Sequence, residues 1–409
     1  MKSIRGVQDF FYDSAAKLEL VINAAKSIAN QHNFHYLKVP IIEKSELFER
    51  NIGNDTDIVS KEIYKFLDKA GEDIALRPEF TAGVVRSFCE NHELNRSKMP
   101  IKLFSHGPLF RYERPQSGRY REFNQINFEV FGKNSYDLDV EILLIASNIL
   151  QALNIKNFNL KLNFIGGENC KIDYINYLNE YFDKYKNELS ADSLKRLESG
   201  KSLRILDSKD ENDQKISSDV QPISNFYTDN SKQNIDKILE TLTSLNVDFT
   251  LENNLVRGLD YYTDMVFEFT GEDLKSKSQK AIIGGGRYDK MISQISENKI
   301  DIPAIGFASG VERLMELIEY NSQESKKIAL IAFEEKNLSM VFRVQNKIHT
   351  TISSHATEIF NHNNLSKSIK HATERGFDLI CIIGENEEKN NQFQVKNLTT
   401  KDIQFTINL

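Results

Sequence analysis

The stretch from Gly107 to Gly132, GPLFRYERPQSGRYREFNQINFEVFG, constrains the chain more than any other. Leu109 and Phe110 lead into it, and Phe123, Ile126, Phe128, Val130 and Phe131 lead out, with polar residues between. A period of two on either side of the turn-rich Pro115-Gln116-Ser117-Gly118 specifies two β-strands joined as a hairpin. Arg111, Arg114, Arg119 and Arg121 lie near its tip. Guanidinium groups are permanently charged forks that match phosphate oxygens. The hairpin therefore reads as a phosphate grip or as a solvated charged loop, and the rest of the chain has to decide between them.

A length of 409 residues points to about two or three domains. Apolar content of 40% is enough for real cores, and 27% charged residues with a net charge of -7 suit a soluble protein. The opening MKSIRGVQDF lacks the apolar run of a signal peptide, and no later run is long enough to span a bilayer. Cys89, Cys170 and Cys381 stand far apart, which argues against a disulfide framework or a cysteine zinc site and for buried free thiols. A reducing, cytoplasmic setting is expected. The net acidity leaves nucleic acid open as a partner, provided that the surface carries a local basic patch.

Along the chain, Leu18, Val21, Ile22, Ala25 and Ile28 mark one face of a helix over 14–33, with Asp13 or Ser14 as its cap. Tyr36 to Ile42, YLKVPII, reads as a strand punctuated by Pro40. Lys65–Leu67 and Ile74–Leu76 read as paired strands, and Ala82–Asn91 and Asp137–Leu153 as helices, with a strand in NFNLKLNFIG. From about 167 to 246 the composition turns rich in Lys, Asn, Asp and Ser and reads as a helical insertion. Strand patterns return at Phe249. After a linker at 321–325, KIALIAF, ATEIF and FDLICIIG alternate with two helical stretches, which suggests a small α/β domain with a mixed or parallel sheet.

Four stretches can carry chemistry. In Arg77-Pro78-Glu79-Phe80-Thr81, Glu79 and Thr81 lie two apart and share a side of an extended segment, which suits an ammonium group; helix capping by Thr81 is the alternative. In the hairpin, Glu113 adds a carboxylate and Phe123 an aromatic face that can stack on a base or simply pack in a core. In LVRGLDYYT, Arg257 can stabilise charge on a reacting phosphoryl group or pair with Asp260 at the surface. The Gly284–Gly286 triplet and GFASGVER are neither a P-loop nor a dinucleotide fingerprint. Small residues ahead of a helix can admit a flat base or sugar, with Arg313 facing phosphates, or they serve tight strand packing.

Taken in order, these stretches resemble the histidyl-tRNA synthetases, a class II aminoacyl-tRNA synthetase family. The likeness runs from Arg5-Gly6-Val7-Gln8-Asp9 to the last domain and is weakest in the insertion. FRYERPQSGRYREFNQ resembles the family's motif 2, AIGFASGVERL its motif 3, and YLKVPIIE the proline-containing motif 1 of the dimer interface. LVRGLDYYT and GGGRYD resemble its two histidine-specific peptides, and LVRGLDYYT is the most specific of these matches. The resemblance implies an α/β chain: an α+β catalytic domain over 1–322 with a mainly antiparallel sheet flanked by helices, the insertion at about 167–246, and an anticodon-binding domain over 326–409.

It implies that L-histidine and ATP, with Mg2+ and no tightly bound organic cofactor, form histidyl-adenylate, and that the histidyl group passes to tRNA-His. Arg111 would bridge the α-phosphate and the histidine carboxylate, and Arg257 would lie against the α-phosphate. Glu113 would meet the adenine edge and Phe123 stack on adenine. Arg119, Arg121 and Arg313 would hold the phosphate tail. Glu79, Thr81 and Gln125 would hold the α-ammonium, and Glu129 and Tyr262 would read the imidazole, with Tyr261 and Tyr288 shaping the pocket. Gln116 would face the tRNA acceptor end. No protein ligand to a metal is implied.

Two departures bear on the pocket: Phe80 stands where the family commonly has glycine, and Asn127 where a small residue is usual. In the last domain Lys367, Lys370 and Arg375 are the candidate phosphate contacts. A homodimer is expected through the first strand and the Pro40 region. Two other readings remain: a histidine-sensing regulatory paralogue of ATP phosphoribosyltransferase that does not charge tRNA, and a non-catalytic tRNA-binding module. The first would lack parts of the hairpin, LVRGLDYYT or the last domain, all present here, and no kinase signature accompanies the second.

Overall fold

The computed structural model describes residues 2–52, 61–91, 98–115, 119–253, 255, 261–271, 281–319, 326–351, 355–361 and 364–409. Gln116 and Arg257, with Asp260, lie outside them, as does the segment 321–325. The chain forms two compact units, Met1–Tyr320 and Asn321–Leu409.

The first unit opens with helix α1 (Tyr12–Gln31), which buries Val21, Ala25 and Ile28 on the expected face. Its cap is Phe11, not Asp13 or Ser14. Ser14 closes the first turn from inside: its hydroxyl accepts from the Phe11 N–H at 2.8 Å and donates to the Phe11 carbonyl at 2.7 Å. YLKVPII is not one strand. Only β1 (His35–Tyr36) and β2 (Ile42–Lys44) pair, in different sheets. Pro40 lacks an N–H between them, and the Arg77 guanidinium takes the Val39 and Pro40 carbonyls at 2.8 and 3.3 Å. Helix α2 (Ser45–Ile52) follows, then β3 (Tyr64–Leu67) and β4 (Asp73–Leu76), an antiparallel pair as read. The Asp68 carboxylate organises their turn by accepting from the Ala70 and Glu72 N–H groups, each at 2.8 Å.

After α3 (Thr81–Glu90) comes the hairpin, β5 (Ile101–Phe110) against β6 (Glu122–Phe131). Helix α4 (Tyr136–Ala152) and β7 (Phe158–Phe164) lead into four helices, α5 (Gly167–Asp183), α6 (Ala191–Glu198), α7 (Glu211–Ser218) and α8 (Asp229–Ser244). Buried Asp213 pins the middle of this stretch by accepting from the hydroxyls of Ser190, Ser193 and Ser208, each at 2.6 Å. Helix α8 turns Ile235, Ile238 and Leu242 into the main core. Then follow β8 (Phe249–Leu251), β9 (Met265–Gly271), β10 (Ala281–Arg287), α9 (Met291–Ile295), β11 (Ala304–Gly310) and α10 (Val311–Leu317).

Eight strands form the main sheet in the order β1-β5-β6-β11-β10-β9-β7-β8, antiparallel except at the two edge pairs. Alternation sorts its faces. Ile126, Phe128 and Val130 of β6 join Ile305 and Phe307 in a core covered by residues of α1, α4 and α8. Gln125, Asn127 and Glu129 point the other way. The glycine triplet allows close strand packing at its end: a Cβ on Gly285 would overlap the Gly306 carbonyl, and one on Gly286 the Met265 carbonyl. Arg287, which ends β10, is 1% exposed and pairs with Asp139 of α4 at 2.7 Å and Asp289 at 3.3 Å. Burial pushes Asp139 up to about 7 and Asp264 up to about 6, against the pull of that guanidinium.

The second unit is a five-stranded sheet. β12 (Lys327–Ala332) pairs in parallel with β13 (Ala356–Phe360) and β14 (Leu379–Ile383), between which run α11 (Leu338–Thr351) and α12 (Leu365–Glu374). The sheet is mixed, because after α13 (Glu385–Asn390) the chain adds an antiparallel pair, β15 (Gln392–Asn397) and β16 (Ile403–Asn408). Lys370 and Arg375 have acidic neighbours, Glu374 at 3.7 Å and Glu358.

Arg287→Met strips Asp139 of its buried counter-ion. It is expected to cost about 3–5 kcal/mol, read from urea denaturation midpoints near neutral pH, and a loss under about 1 kcal/mol would contradict that role.

Candidate active site

The face of the sheet opposite the main core carries a cleft of about 230 Å³. Glu79, Thr81, Arg111, Glu113, Arg119, Phe123, Gln125, Glu129, Tyr261, Tyr262, Tyr288 and Arg313 all line it. These twelve come from segments more than two hundred residues apart. Arg121 is not brought in. Its guanidinium lies 3.9 Å over the Tyr112 ring and its Nε reaches toward the Glu113 carbonyl at 3.4 Å.

One set of groups is polar and buried. Glu79 is 4% exposed and heads α3, where its carboxylate accepts from the Thr81 and Ala82 N–H groups at 2.6 and 2.7 Å. Capping thus falls to Glu79, and Thr81 is free to donate its hydroxyl to Glu129 Oε1 at 2.6 Å. Asn127, two residues back on the same strand face, donates to Glu129 Oε1 at 2.9 Å, and the Tyr288 hydroxyl donates to Oε2. Burial pushes Glu129 up to about 8, although those three donors and nothing cationic oppose it; nearby Glu79 adds to the rise. Burial also raises Glu79, Tyr261 and Tyr288, with two N–H bonds and Arg111 opposing it at Glu79. Tyr261 stacks edge-on to Tyr288 with ring centres 5.5 Å apart and lies 4.7 Å from Tyr262.

The second set is cationic. Arg111 is aimed by its Nε, which donates to the Pro78 carbonyl at 2.9 Å, and its guanidinium lies 5.3 Å from the Phe123 ring. Phe123 is therefore a cleft wall as well as part of the packing beneath it. Arg119 Nε lies 3.1 Å from Glu113 Oε2. Arg313 Nη1 donates to the Ala281 carbonyl at 2.7 Å. The glycines have separate tasks: Gly284, Gly306 and Gly310 border the cleft.

The two departures fall differently. Phe80 is 1% exposed, lies under the Arg77 guanidinium at 4.4 Å, and is a core residue rather than a cleft wall. Asn127 is built into the buried network as a donor to Glu129. Sequence reasoning missed Tyr120 and Glu312. Glu312 is 6% exposed and accepts from both the backbone and side-chain nitrogens of Asn124, at 2.8 and 3.0 Å. An acid in the first turn of a helix beside Arg313 was its only signal.

Chemically, a row of guanidiniums leading into a buried, uncharged-donor pocket can bind a polyphosphate beside a small polar molecule. The family model described as Histidyl-tRNA synthetase matches residues 6–314, and the one described as Anticodon binding domain matches 327–409. The histidine–tRNA ligase of Rickettsia canadensis (strain McKiel) is 39% identical over 98% of this chain and 95% of that protein. That of Wolbachia pipientis wMel is 40% identical over 98% and 95%. The apo histidyl-tRNA synthetase of S. aureus superposes with a TM-score of 0.82 at 28% identity, covering 100% of this chain and 97% of that one. A Bacillus halodurans C protein described as an ATP phosphoribosyltransferase regulatory subunit/histidyl-tRNA synthetase shares the fold, with a TM-score of 0.68 at 18% identity over 94% and 98%. Sheet, hairpin and cleft together define the catalytic domain of a class II aminoacyl-tRNA ligase. The chain belongs to the histidyl-tRNA synthetase family.

Glu129 makes the stability of this fold pH-sensitive. Between its ordinary value of 4.5 and its folded value of about 8, the folded protein keeps a proton that the unfolded chain has lost. Its contribution to stability is full below the lower value and is lost as pH rises through the higher one. In Glu129→Gln that component disappears. The difference in melting temperature, wild type minus variant, should fall steadily from pH 4.5 to 8, and parallel curves would count against a buried, protonated Glu129.

Proposed function

We propose that this ligase activates L-histidine with ATP in the cleft and transfers the histidyl group to the terminal adenosine of tRNA-His. The observation that carries the amino-acid assignment is the buried Glu129–Tyr288–Thr81–Asn127 network. An imidazole presents two ring nitrogens, and a carboxylate with neighbouring phenols offers an acceptor and donors to both. A pocket that leaves such groups unpaired with the wrong substrate rejects it strongly. That accounts for selectivity without an editing domain.

In the first step a histidine carboxylate oxygen attacks the α-phosphorus and pyrophosphate leaves. Positioning and charge neutralisation do most of the work in such transfers. Arg111, fixed by the Pro78 carbonyl, bridges the α-phosphate and the attacking carboxylate, and Arg257 stabilises charge on the α-phosphate. Arg119 and Arg313 take the phosphate tail, and Arg121 joins them only if it leaves Tyr112. Phe123 stacks on adenine, and Glu113 meets its edge. Glu79, Thr81 and Gln125 receive the α-ammonium, and Glu129 and Tyr262 receive the imidazole. In the second step a ribose hydroxyl of the tRNA end attacks the adenylate carbonyl and AMP leaves, with Gln116 at the acceptor end. Mg2+ would come with ATP and neutralise charge on its phosphates, with few or no carboxylates of the protein needed to hold it. The nearby carboxylates of Glu113 and Glu312 already have protein partners, which supports that arrangement.

The domain over 326–409 reads the anticodon, with Lys367 as a phosphate contact beside the acid-paired Lys370 and Arg375. No helix among the described residues is long and apolar enough to cross a membrane, and the protein works in the cytoplasm. It works as a homodimer, which is supported by Tyr36, Ile41 and Ile42 at 55%, 40% and 51% exposure around Pro40.

The decisive measurement is ATP–pyrophosphate exchange with each amino acid added singly and no tRNA. Exchange with histidine alone is expected, and Arg257→Ala should keep the fold while losing about 100-fold or more of the exchange rate. A folded protein that binds histidine but exchanges nothing would turn the reading to the regulatory paralogue. In sedimentation velocity a dimer is expected; a fully active monomer would refute the assembly.

A further inference from the structure

The tyrosines at the amino-acid end of the cleft are anchored from outside the cleft. The described residues on either side of 256–260 are fastened to one continuous stretch, the end of β7 and the start of α5. At the near end, the Glu252 N–H donates to the Leu162 carbonyl at 2.8 Å. The Asn163 amide reaches the Asn253 and Leu255 carbonyls, each at 3.1 Å. At the far end, the Ile165 N–H donates to the Asp264 carbonyl at 2.9 Å. Lys171, on the second turn of α5, donates from Nζ to the Tyr262 carbonyl at 2.7 Å.

Helix α5 is the first helix of the stretch inserted between β7 and β8. Its exit is tied to the same place: the Tyr227 hydroxyl donates to the Phe164 carbonyl at 2.6 Å, and Ser231 Oγ to the Gly166 carbonyl at 3.2 Å. Lys171 thus makes a charge-assisted bond from the helical stretch to the backbone of a cleft residue. Such bonds are shorter and stronger than neutral ones, and they fix the peptide they hold. The carbonyl in question belongs to the peptide that joins Tyr262 to Thr263, so the bond fixes Tyr262 directly and Tyr261 through its ring contact with Tyr262, and both rings line the cleft.

We infer that Lys171 is a positioning residue for the amino-acid subsite, setting the tyrosine pair through the Tyr262 peptide and linking the helical stretch to it. This rests on the reading of that end of the cleft as the histidine subsite. The Arg111–Phe123 and Arg119–Glu113 groups have no share in the anchor, so the effect falls on one substrate. Removing a charged hydrogen bond of this kind weakens what it positions by about tenfold.

The test is ATP–pyrophosphate exchange with purified full-length wild type, Lys171→Met and Lys171→Arg, with histidine and ATP varied in turn and melting temperatures recorded. The expected result is a KM for histidine raised about tenfold in Lys171→Met, an ATP KM within about twofold, an unchanged melting temperature, and substantial recovery in Lys171→Arg. Equal changes in both KM values, wild-type behaviour, absence of rescue by arginine, or a Lys171→Met protein that does not fold would each overturn the assignment, since the residue would then be structural or idle. Absence of histidine-dependent exchange in the wild type would instead overturn the reading of the subsite.

Discussion

Glu129 is a carboxylate at 1% exposure whose three hydrogen-bond partners, Thr81, Asn127 and Tyr288, are all uncharged. In a low-dielectric interior such a group is costly unless every donor is in place. The surrounding structure is arranged to put them there. Asn127 comes with the pleat of β6. Thr81 comes because Glu79 caps α3, which leaves the threonine hydroxyl to point inward. Tyr288 comes because the next residue back, Arg287, is locked into Asp139 and Asp289 on the other side of the backbone. The ion pair behind the pocket and the network inside it are thus two faces of one strand end.

The cationic end works by the opposite logic. Arg111 is presented to the cleft with one nitrogen already used by the Pro78 carbonyl, so its direction is fixed while its charge remains uncompensated by a carboxylate bond in that contact. Arg77, one residue before Pro78, is 5% exposed and spends its own donors on the carbonyls of Val39, Pro40 and Pro108. Burial pulls its pKa down from the usual arginine value. Such a residue organises backbone instead of binding anions. Arg77 and Arg111 therefore have different duties, and the number of carbonyl contacts tells them apart.

What was legible in the sequence follows the range of the forces involved. The hairpin, the β3–β4 pair and α4 come from periodicity and local turn chemistry, and all three were readable. Of the twelve residues that line the cleft, Glu79, Thr81, Arg111, Glu113, Arg119, Phe123 and Arg313 stand out by residue type, whereas Gln125, Glu129, Tyr261, Tyr262 and Tyr288 were given roles only through the family resemblance. The cap of α1 was not, since Ser14 acts from inside the helix and Phe11 holds a position usually given to a polar residue. YLKVPII looked like one strand because its apolar pattern is right; a guanidinium 37 residues away takes the carbonyls that a neighbouring strand would need. Phe80 looked like an intrusion into the pocket and is a core residue, a distinction that depends on which way one side chain turns. The final β15–β16 pair, rich in Gln, Asn, Lys and Thr, has too weak an apolar pattern to stand out. Arg121 shows the limit on the functional side: its residue type fits phosphate, but Tyr112 of the same hairpin claims it.

The glycine at 306 sits directly across the sheet from Glu129. A Cβ there would overlap the Glu129 carboxylate itself. The acid of one strand thus fills the volume that a side chain of its neighbour would need, and the two positions share a single slot. An alanine at 306 would meet both that carboxylate and the Phe128 carbonyl, and shortening residue 129 would relieve only the first while withdrawing the acceptor from Thr81, Asn127 and Tyr288 together. Position 306 is therefore held to glycine by a carboxylate and by backbone at once, and giving up the pocket's acceptor would not by itself free it.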